Sequence, residues 1–193
     1  VENFPDDNFR AYVLKNRDIN GDRLLSESER SYGHAGGIYL SKYDLKREGL
    51  GEISNLKGIE YFFGLETLDV SGNDIRTLDL SKNTNIEYLN VSKNKLVSKV
   101  DFGENPGRRR LEYSDCSLDD IDLSVFKDLR ELDCSGNDLK TLDVSQNTNL
   151  VKLDCSGNYL RGLDLSALSK LEVLKCGNIF YYSEEEKKIK RLD

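Results

Sequence analysis

The sequence is poor in several residue types, and each shortage excludes a class of protein or site. Its 193 residues include no Met, one His and four Cys. Four Cys are too few for a disulfide-bonded scaffold in a chain of this length. The single histidine, His34, has no evident nucleophile or second metal ligand to pair with, so we interpret it as a surface residue. Because Met is absent, we also expect that the natural N-terminus has been trimmed.

Long apolar runs and surplus positive charge are missing as well. No apolar run of about eighteen residues occurs, the length that a membrane-spanning helix needs, so the sequence predicts no membrane insertion. The formal net charge is −7, whereas a protein that binds nucleic acid needs a basic face for the phosphates. The sequence also offers no nucleophile–base pair, phosphate-binding loop or clustered metal triad, and we therefore do not expect an enzyme.

One phrase recurs along the chain at a fixed interval. Residues 132–137 and 153–158 both read LDCSGN. They belong to a longer pattern, L-x-x-L-x-L-x-x-N-x-L, which begins at residues 65, 86, 129, 150 and 171. The period is 21 residues, and the double interval between residues 86 and 129 contains one irregular coil, which we place at 111–116. Each repeat is itself nearly two-fold, since its second half carries a similar pattern that ends, for example, at Asn83 or Asn147.

This pattern resembles the leucine-rich repeat family, and within it the short bacterial class with nested half-repeats, over roughly residues 40–180. The resemblance implies an α/β solenoid, in which repeats of about 21 residues stack in a right-handed coil with a parallel β-ladder. No single coil can bury its own apolar positions, so neighbouring coils must cover them. We predict a helical, EF-hand-like N-terminal cap over residues 1–37, the solenoid over 38–180, and a C-terminal cap or tail over 181–193.

Two residue types have defined roles inside the predicted coils. The Asn that ends each pattern can donate to and accept from backbone groups that the turn would leave unpaired. The cysteines fall on one inward column: Cys116, Cys134, Cys155 and Cys176. Free Cys behaves there as a small apolar residue, so we predict four reduced, buried thiols. After the last coil, Ser183 followed by Glu186 is typical of a helix start, which favours a capping helix or the stub of a longer protein.

The segment before the repeats predicts a helix followed by a calcium-binding loop. Pro5 and two aspartates suit the start of a helix over residues 4–17. Residues 18–29, DINGDRLLSESE, have the EF-hand spacing, in which alternate residues supply hard oxygen ligands to Ca²⁺. The candidate metal ligands are Asp18, Asn20, Asp22, the carbonyl of Leu24, Ser26 and Glu29.

Arg23 occupies the sixth loop position, where EF-hands have Gly for a left-handed bend. A non-Gly residue there costs roughly 1 kcal/mol, which predicts weak affinity. Two further interpretations stay open: an empty relic held together by side-chain hydrogen bonds, and a chance match. If the loop binds Ca²⁺, we expect a structural rather than a sensory role, because sensor EF-hands work in pairs and expose Met-rich surfaces.

The order of FPDDNFRAYVL, DINGDRLLSESE and LKGIEYFFGLETLDVSGN also resembles the N-terminal region of internalin-like leucine-rich repeat proteins, which bacteria display or secrete. In that family, as the resemblance implies, the repeats bind proteins or glycans at cell surfaces. The resemblance therefore implies an extracellular or cell-surface location for this chain. We also expect a monomer.

The outward positions of the strands, together with the 97–110 loop, form the predicted partner-binding surface. Tyrosine offers a large contact area at low entropic cost, and a loop with three consecutive Arg suits an acidic partner. The candidate partner-binding residues are Tyr88, Tyr113, Asp115, Asp133, Lys152, Asp154, Arg108, Arg109 and Arg110. The alternative is that the recurrent LDxS phrase only forms turns and aids solubility, and that the loop is a tolerated insertion.

Together these features favour a non-catalytic recognition module of a bacterial extracytoplasmic protein, which binds a protein or glycan through the solenoid surface. The alternative is a structural stalk or spacer that positions another domain of a larger surface protein, for example a catalytic one. The first function predicts a partner for the isolated chain, and the second predicts none.

Overall fold

The computed structural model describes residues 3–31, 37–96, 105, 107–177, 180–183 and 188–191. The chain forms two compact units, residues 1–105 and 106–193. His34 and most of the 97–110 loop lie outside the described residues. Within the described ranges, no helix is long and apolar enough to cross a membrane.

The first unit begins with a helix that is anchored by the aspartate before it. Helix α1 spans Asp7–Asn16, inside the predicted range. The Asp6 carboxylate accepts the amide N–H groups of Asn8 at 3.1 Å and Phe9 at 3.0 Å, which pairs donors that the first turn of a helix leaves unsatisfied. Its second oxygen accepts the amide of Ser54 at 2.8 Å, so the same side chain ties α1 to the segment that leads into the repeats.

Shorter helices and three parallel strands are the other helices and strands described in the first unit. They are α2 (Glu27–Ser31), β1 (Ile38–Tyr39), α3 (Lys42–Arg47), a 3₁₀ helix (Ile59–Tyr61), β2 (Thr67–Asp69) and β3 (Tyr88–Asn90). Strand β2 pairs in parallel with β1 on one side and β3 on the other. The paired residues Ile38, Leu68 and Leu89 are buried. The apolar positions of successive coils therefore stack on one another, as the repeat predicts.

The second unit repeats the same arrangement with four parallel strands. They are β4 (Arg110–Glu112), β5 (Glu131–Asp133), β6 (Lys152–Asp154) and β7 (Val173–Lys175), and they pair in that order. The central residues Leu111, Leu132 and Leu153 are at most 2% exposed, whereas Leu174 in β7 is 39% exposed. Burial of the leucine column is thus complete in the first three strands of this unit and partial in the last.

After β7, residues 180–183 and 188–191 are extended, whereas the capping signal at Ser183 is typical of a helix start. Strands β8 (Phe180–Ser183) and β9 (Lys188–Arg191) form an antiparallel pair. The prediction of a capping helix that starts at Ser183 is therefore wrong. The three aromatic residues at 180–182 have high strand propensity, and this preference outweighs a single local capping signal.

A column of buried asparagines holds the turns that follow β2, β3, β5 and β6. Asn158 donates from Nδ2 to the carbonyl oxygens of Cys134 at 2.9 Å and Cys155 at 3.0 Å. Its Oδ1 accepts the amide N–H of Leu139 at 3.1 Å. The same arrangement occurs at Asn73, Asn94 and Asn137. One side chain thus pairs backbone groups of two neighbouring coils, which is the role predicted for it.

The second half-repeats have their own buried asparagines, Asn83 and Asn147, which are fully buried. Asn147 donates from Nδ2 to the carbonyl oxygens of Leu123 at 3.0 Å and Phe126 at 2.9 Å. Phe126 occupies the corresponding position one coil earlier and is itself buried, so an aromatic ring fills the space that the amide occupies in the next coil.

The irregular coil lies in a register that differs from our prediction. Leu111 pairs with Leu132, so Cys116 lies one coil before Asn137, at the turn position. It does not share the inward column of Cys134, and the prediction of one column of four cysteines is wrong. The amide of Cys116 donates to Asn137 Oδ1 at 3.1 Å. All four cysteines are nevertheless buried, and none of them forms a disulfide.

Replacing Asn158 by Ala should destabilise the protein by about 2–4 kcal/mol, because it leaves buried backbone groups of two coils unpaired at roughly 1–3 kcal/mol each. Asn149→Ala is the matched control, since the hydrogen bonds of Asn149 to Lys127 and Lys170 are exposed, and it should cost less than about 1 kcal/mol. Urea unfolding of both variants measures the difference. Equal losses would contradict the role of the buried asparagines.

Candidate partner-binding face and acidic loop

Side chains alternate along a strand, so the residues on either side of each buried leucine point away from the core. In the second unit they form what we call the strand face: Arg110, Glu112, Glu131, Asp133, Lys152, Asp154, Val173 and Lys175. These residues line an open groove of about 250 Å³, together with Leu132 and Leu153. The strand face therefore brings together four of the predicted partner-binding residues: Arg110, Asp133, Lys152 and Asp154.

Ion pairs cross the strand face from one strand to the next. Arg110 contacts Glu131 at 3.4 Å, and Lys152 contacts the same carboxylate from the other side at 2.9 Å. Lys175 Nζ lies 3.3 Å from Asp154 Oδ2. Exposed pairs of this kind contribute at most about 1 kcal/mol each to stability. Their more important effect is to hold long side chains in fixed positions on a hydrogen-bonded sheet.

The Asp-Ser phrase also makes local turns, in line with its alternative interpretation. Asp133 Oδ1 accepts the amide of Ser135 at 3.0 Å and its hydroxyl at 2.6 Å. On the second half-repeats, Asp143 accepts the amide of Ser145 at 2.9 Å, and this hydrogen bond lowers the pKa of Asp143. The same turn recurs at Asp79, Asp122, Asp154 and Asp164. The phrase has a structural role in these coils, so a binding role must rest on the groove and the charges around it.

The first unit presents two tyrosines on the exposed side of its strands. Tyr88 pairs with Thr67, and Tyr39 pairs with Asp69. Tyr39 is 50% exposed. Tyr39 is not among the predicted residues, because β1 lacks the full repeat pattern. The signal that identifies it is the alternation of residues 38–40, in which two buried aliphatic residues flank the exposed ring.

Tyr113 and Arg108 are fully buried, so their predicted role in partner binding is wrong. Tyr113 lies one coil before Cys134 on the inward column, and burial raises the pKa of its hydroxyl well above the usual value. Arg108 lies one coil before Leu129, at a position that is apolar in the regular coils. Its guanidinium carbon is 4.9 Å from the centre of the Phe126 ring, and burial lowers the pKa of Arg108 to about 10.

The remaining predicted residues of the irregular coil are exposed. Arg109 precedes β4, and Arg110 belongs to the strand face. Asp115 lies beyond β4 with a φ of 54°, at the position that Gly136 occupies in the next coil. A Cβ on Gly136 would lie 2.2 Å from Asp115 Oδ1, and Gly136 has a φ of 64°, so both the contact and the backbone favour glycine. Asp115 therefore packs against the next turn and lies outside the groove.

The acidic loop, residues 18–29, has the left-handed bend that the EF-hand spacing requires at its sixth position. Arg23 adopts a φ of 64° there. Asp18 Oδ2 accepts the amide N–H of Arg23 at 2.9 Å. The side chains of Asn20 and Asp22 accept the amides two residues further on, at 3.0 and 2.8 Å. The loop therefore reaches the required bend without glycine, with three side-chain oxygens that support its backbone.

Glu29 closes the acidic loop with its carboxylate. Its Oε1 accepts the amides of Ile19 at 2.8 Å and Asn20 at 3.3 Å. Its Oε2 accepts the amide of Ser26 at 2.8 Å and the Ser26 hydroxyl at 2.6 Å. The hydrogen bonds from Ser26, together with those from the backbone at Asn20 and Ile19, lower the pKa of Glu29 to about 2.

The ligand atoms of the acidic loop suit Ca²⁺ chemically, but they are not gathered around one point. In the part of the chain that the structure describes, no three His, Cys, Asp or Glu side chains lie together as a metal site. Asp18 is 8% exposed, and its Oδ1 has no hydrogen-bond partner among the described residues, which is unfavourable for a carboxylate unless a cation approaches. Glu29 closes the acidic loop through its hydrogen bonds with Ile19, Asn20 and Ser26.

Known proteins share the arrangement of strands and turns described above. The model of the Leucine Rich Repeat family matches residues 149–171, which contain β6 and the turns on either side. The chain folds as a leucine-rich repeat solenoid. Leucine-rich repeat solenoids are typically non-catalytic modules that bind proteins. No curated protein matches the sequence of this chain.

Solved structures of internalins have the same leucine-rich repeat fold. Internalin C2 from Listeria monocytogenes aligns with a TM-score of 0.74 and 20% identity, over 95% of this chain and 79% of that chain. InlP from the same species aligns with a TM-score of 0.65 and 18% identity, over 93% of this chain and 60% of that chain. A leucine-rich repeat protein from Leptospira interrogans aligns with a TM-score of 0.63 and 23% identity, over 69% of this chain and 36% of that chain. This chain thus spans about a third of the length of the Leptospira protein, and at these identities the similarity shows the fold alone.

Glu29 should make stability depend on pH in the acid range. Its folded pKa of about 2 lies below the ordinary value of 4.5. Its contribution to stability is therefore fully present above pH 4.5 and is lost as the pH falls toward 2. Glu29→Gln should lower the melting temperature at neutral pH, and the difference from wild type should shrink between pH 4.5 and 2.

Circular dichroism melts at a series of pH values measure this difference. Glu27→Gln is the matched control, because Glu27 is an exposed residue of the same helix, and it should show no such pH-dependent gap. If the difference in melting temperature between wild type and Glu29→Gln stayed constant down to pH 2, the charge of the Glu29 carboxylate would not contribute to stability.

Proposed function

We propose that the chain is a non-catalytic recognition module of a bacterial extracytoplasmic protein, and that it binds a protein partner, as a monomer, through the strand face of the second unit. The observation that carries the proposal is the open groove of about 250 Å³ on this face, which is lined by charged side chains from four parallel strands. The resemblance of the N-terminal sequence to internalin-like proteins supports an extracellular or cell-surface location.

The strand face is well suited to binding because its backbone is already fixed. Each strand pairs with its neighbours, and the first three cover a buried leucine. The face therefore loses little conformational entropy when a partner docks. The contacts of Glu131 with Arg110 and Lys152 restrain the longest side chains in advance. Leucine-rich repeat proteins generally bind other proteins, which favours a protein over a glycan as the partner.

Two charge-reversal variants test the proposed face. The face variant combines Lys152→Glu with Asp154→Lys. The matched variant combines Lys140→Glu with Asp143→Lys, two exposed residues on the second half-repeat of the preceding coil. Proteins captured from bacterial surface extracts by the wild-type chain are purified, and their affinities for all three chains are measured by biolayer interferometry. We expect the face variant to weaken binding at least about tenfold and the matched variant less than about twofold.

Equal effects of the two variants would contradict the proposed site. A glycan array probed with the same three chains identifies a carbohydrate partner if one exists. A wild-type chain that binds in neither assay would favour the structural stalk or spacer.

We also propose that residues 1–37 cap the solenoid, that its coil is right-handed, and that the acidic loop binds one structural Ca²⁺. The ring of Phe4 packs against that of Phe62 with 6.3 Å between centroids, which supports a cap that covers the first apolar coil. The residues that would hold the ion are Asp18, Asn20, Asp22, the carbonyl of Leu24, Ser26 and Glu29. The left-handed bend at Arg23 and the buried Asp18 Oδ1 support the calcium proposal.

Ca²⁺ should raise the melting temperature of chelator-treated protein, because an ion that binds only the folded state stabilises it. Asp18→Asn should abolish the rise, whereas Asp7→Asn, at an exposed carboxylate outside the loop, should keep it. Mg²⁺ should have a smaller effect, since it demands a stricter geometry. Equal shifts in wild type and Asp18→Asn, or no shift in wild type, would mean that Glu29 closes the loop without a metal.

A further inference from the structure

The strand face carries one acidic side chain more than its cations neutralise. Its charged residues are three cations and four acids: Arg110, Lys152 and Lys175, and Glu112, Glu131, Asp133 and Asp154. The ion pairs join Arg110 to Glu112 and Glu131, Lys152 to Glu131, and Lys175 to Asp154. Asp133 forms no ion pair with any residue that the structure describes. The surplus negative charge of the groove is therefore located at one side chain.

Asp133 lies in the middle of the groove. The parallel register places it between Glu112 on β4 and Asp154 on β6, each about 4.8 Å away across the sheet. Its Oδ1 accepts both hydrogen bonds from Ser135, at 3.0 and 2.6 Å. These bonds fix the carboxylate and leave Oδ2 as the oxygen that can accept from a partner.

We propose that the groove receives an arginine side chain of the partner protein at Asp133, an inference that rests on the proposed function. Glu112, Asp133 and Asp154 are neighbouring carboxylates on three strands, and cations pair with Glu112 and Asp154. A cation of the partner at Asp133 would complement the remaining negative charge. A guanidinium presents five N–H donors in a planar fork, so it can donate to Asp133 and to the carboxylate on an adjacent strand together.

Arginine fits this groove better than a lysine or a bare metal ion. An ammonium is a compact, strongly hydrated point charge, and it does not span two strands as a planar fork does. A metal ion at Asp133 would compete with Arg110 for Glu112 and with Lys175 for Asp154, since each of these carboxylates already has a cation. An arginine fork adds hydrogen bonds to the existing pairs and displaces none of them.

A phage-displayed library of random peptides, selected on the full chain in buffer with EDTA, tests this inference. We expect the selected peptides to be enriched in arginine. A synthetic peptide from the selection is then titrated by calorimetry into wild type, Asp133→Asn and Asp143→Asn. The last is a matched control, because Asp143 makes the same turn with Ser145 outside the groove. Asp133→Asn should weaken binding about tenfold and Asp143→Asn less than about twofold, and replacing the peptide arginine by lysine should weaken binding to wild type.

The outcomes separate this inference from the function on which it rests. A library that yields no arginine-containing binder, or a peptide that binds wild type and Asp133→Asn equally, overturns the arginine inference. If such a peptide still loses affinity for the Lys152→Glu, Asp154→Lys variant, the proposed face stands without the arginine. A peptide that is insensitive to every substitution on the face overturns both.

Discussion

The hydrogen bonds of the buried turn asparagines are the interaction on which the rest of the structure depends. A coil that turns out of a strand every 21 residues buries amide and carbonyl groups, and each unpaired group would cost roughly 1–3 kcal/mol. Asparagine offers two donors and an acceptor on a side chain short enough to lie inside the turn. Asn158 joins its own coil to the coil before it. The same side chain therefore forms the turn and stacks the repeats.

Because the asparagine bonds and the leucine column fix the backbone, other positions can change without altering the path of the coil. In the irregular coil, Cys116 takes the turn position and Arg108 takes an apolar one. The amide of Cys116 still donates to Asn137 in the next coil, so the turn keeps a partner. Asp115 keeps the left-handed bend that Gly136 has one coil later. The neighbouring regular coil thus supplies the hydrogen bonds that the irregular sequence lacks.

These substitutions also explain how much of the fold and the site the sequence can predict. Regular coils repeat their leucines and asparagines, so the period locates the strands and places Asp133, Lys152 and Asp154 on the exposed face. In the irregular coil several pattern positions differ at once, and without the period Tyr113 and Arg108 look like surface residues although both are buried. The groove and its ion pairs are not predictable from one strand, because they depend on which side chains the register of adjacent strands brings together.

One recurrent phrase produces two surfaces with different electrostatics. On the second half-repeats of the second unit, the aspartates lie one coil apart: Asp122, Asp143 and Asp164. Their like charges raise the pKa of Asp143 and so oppose the larger effect of Ser145, which lowers it. On the strand face, the residue before each leucine alternates in sign along β4, β5 and β6, so neighbours attract. The residue after each leucine is acidic in all three strands: Glu112, Asp133 and Asp154. This repetition produces the surplus negative charge at Asp133. Of these two surfaces, the strand face combines cross-strand ion pairs with one unbalanced charge, whereas the aspartates of the second half-repeats repel one another.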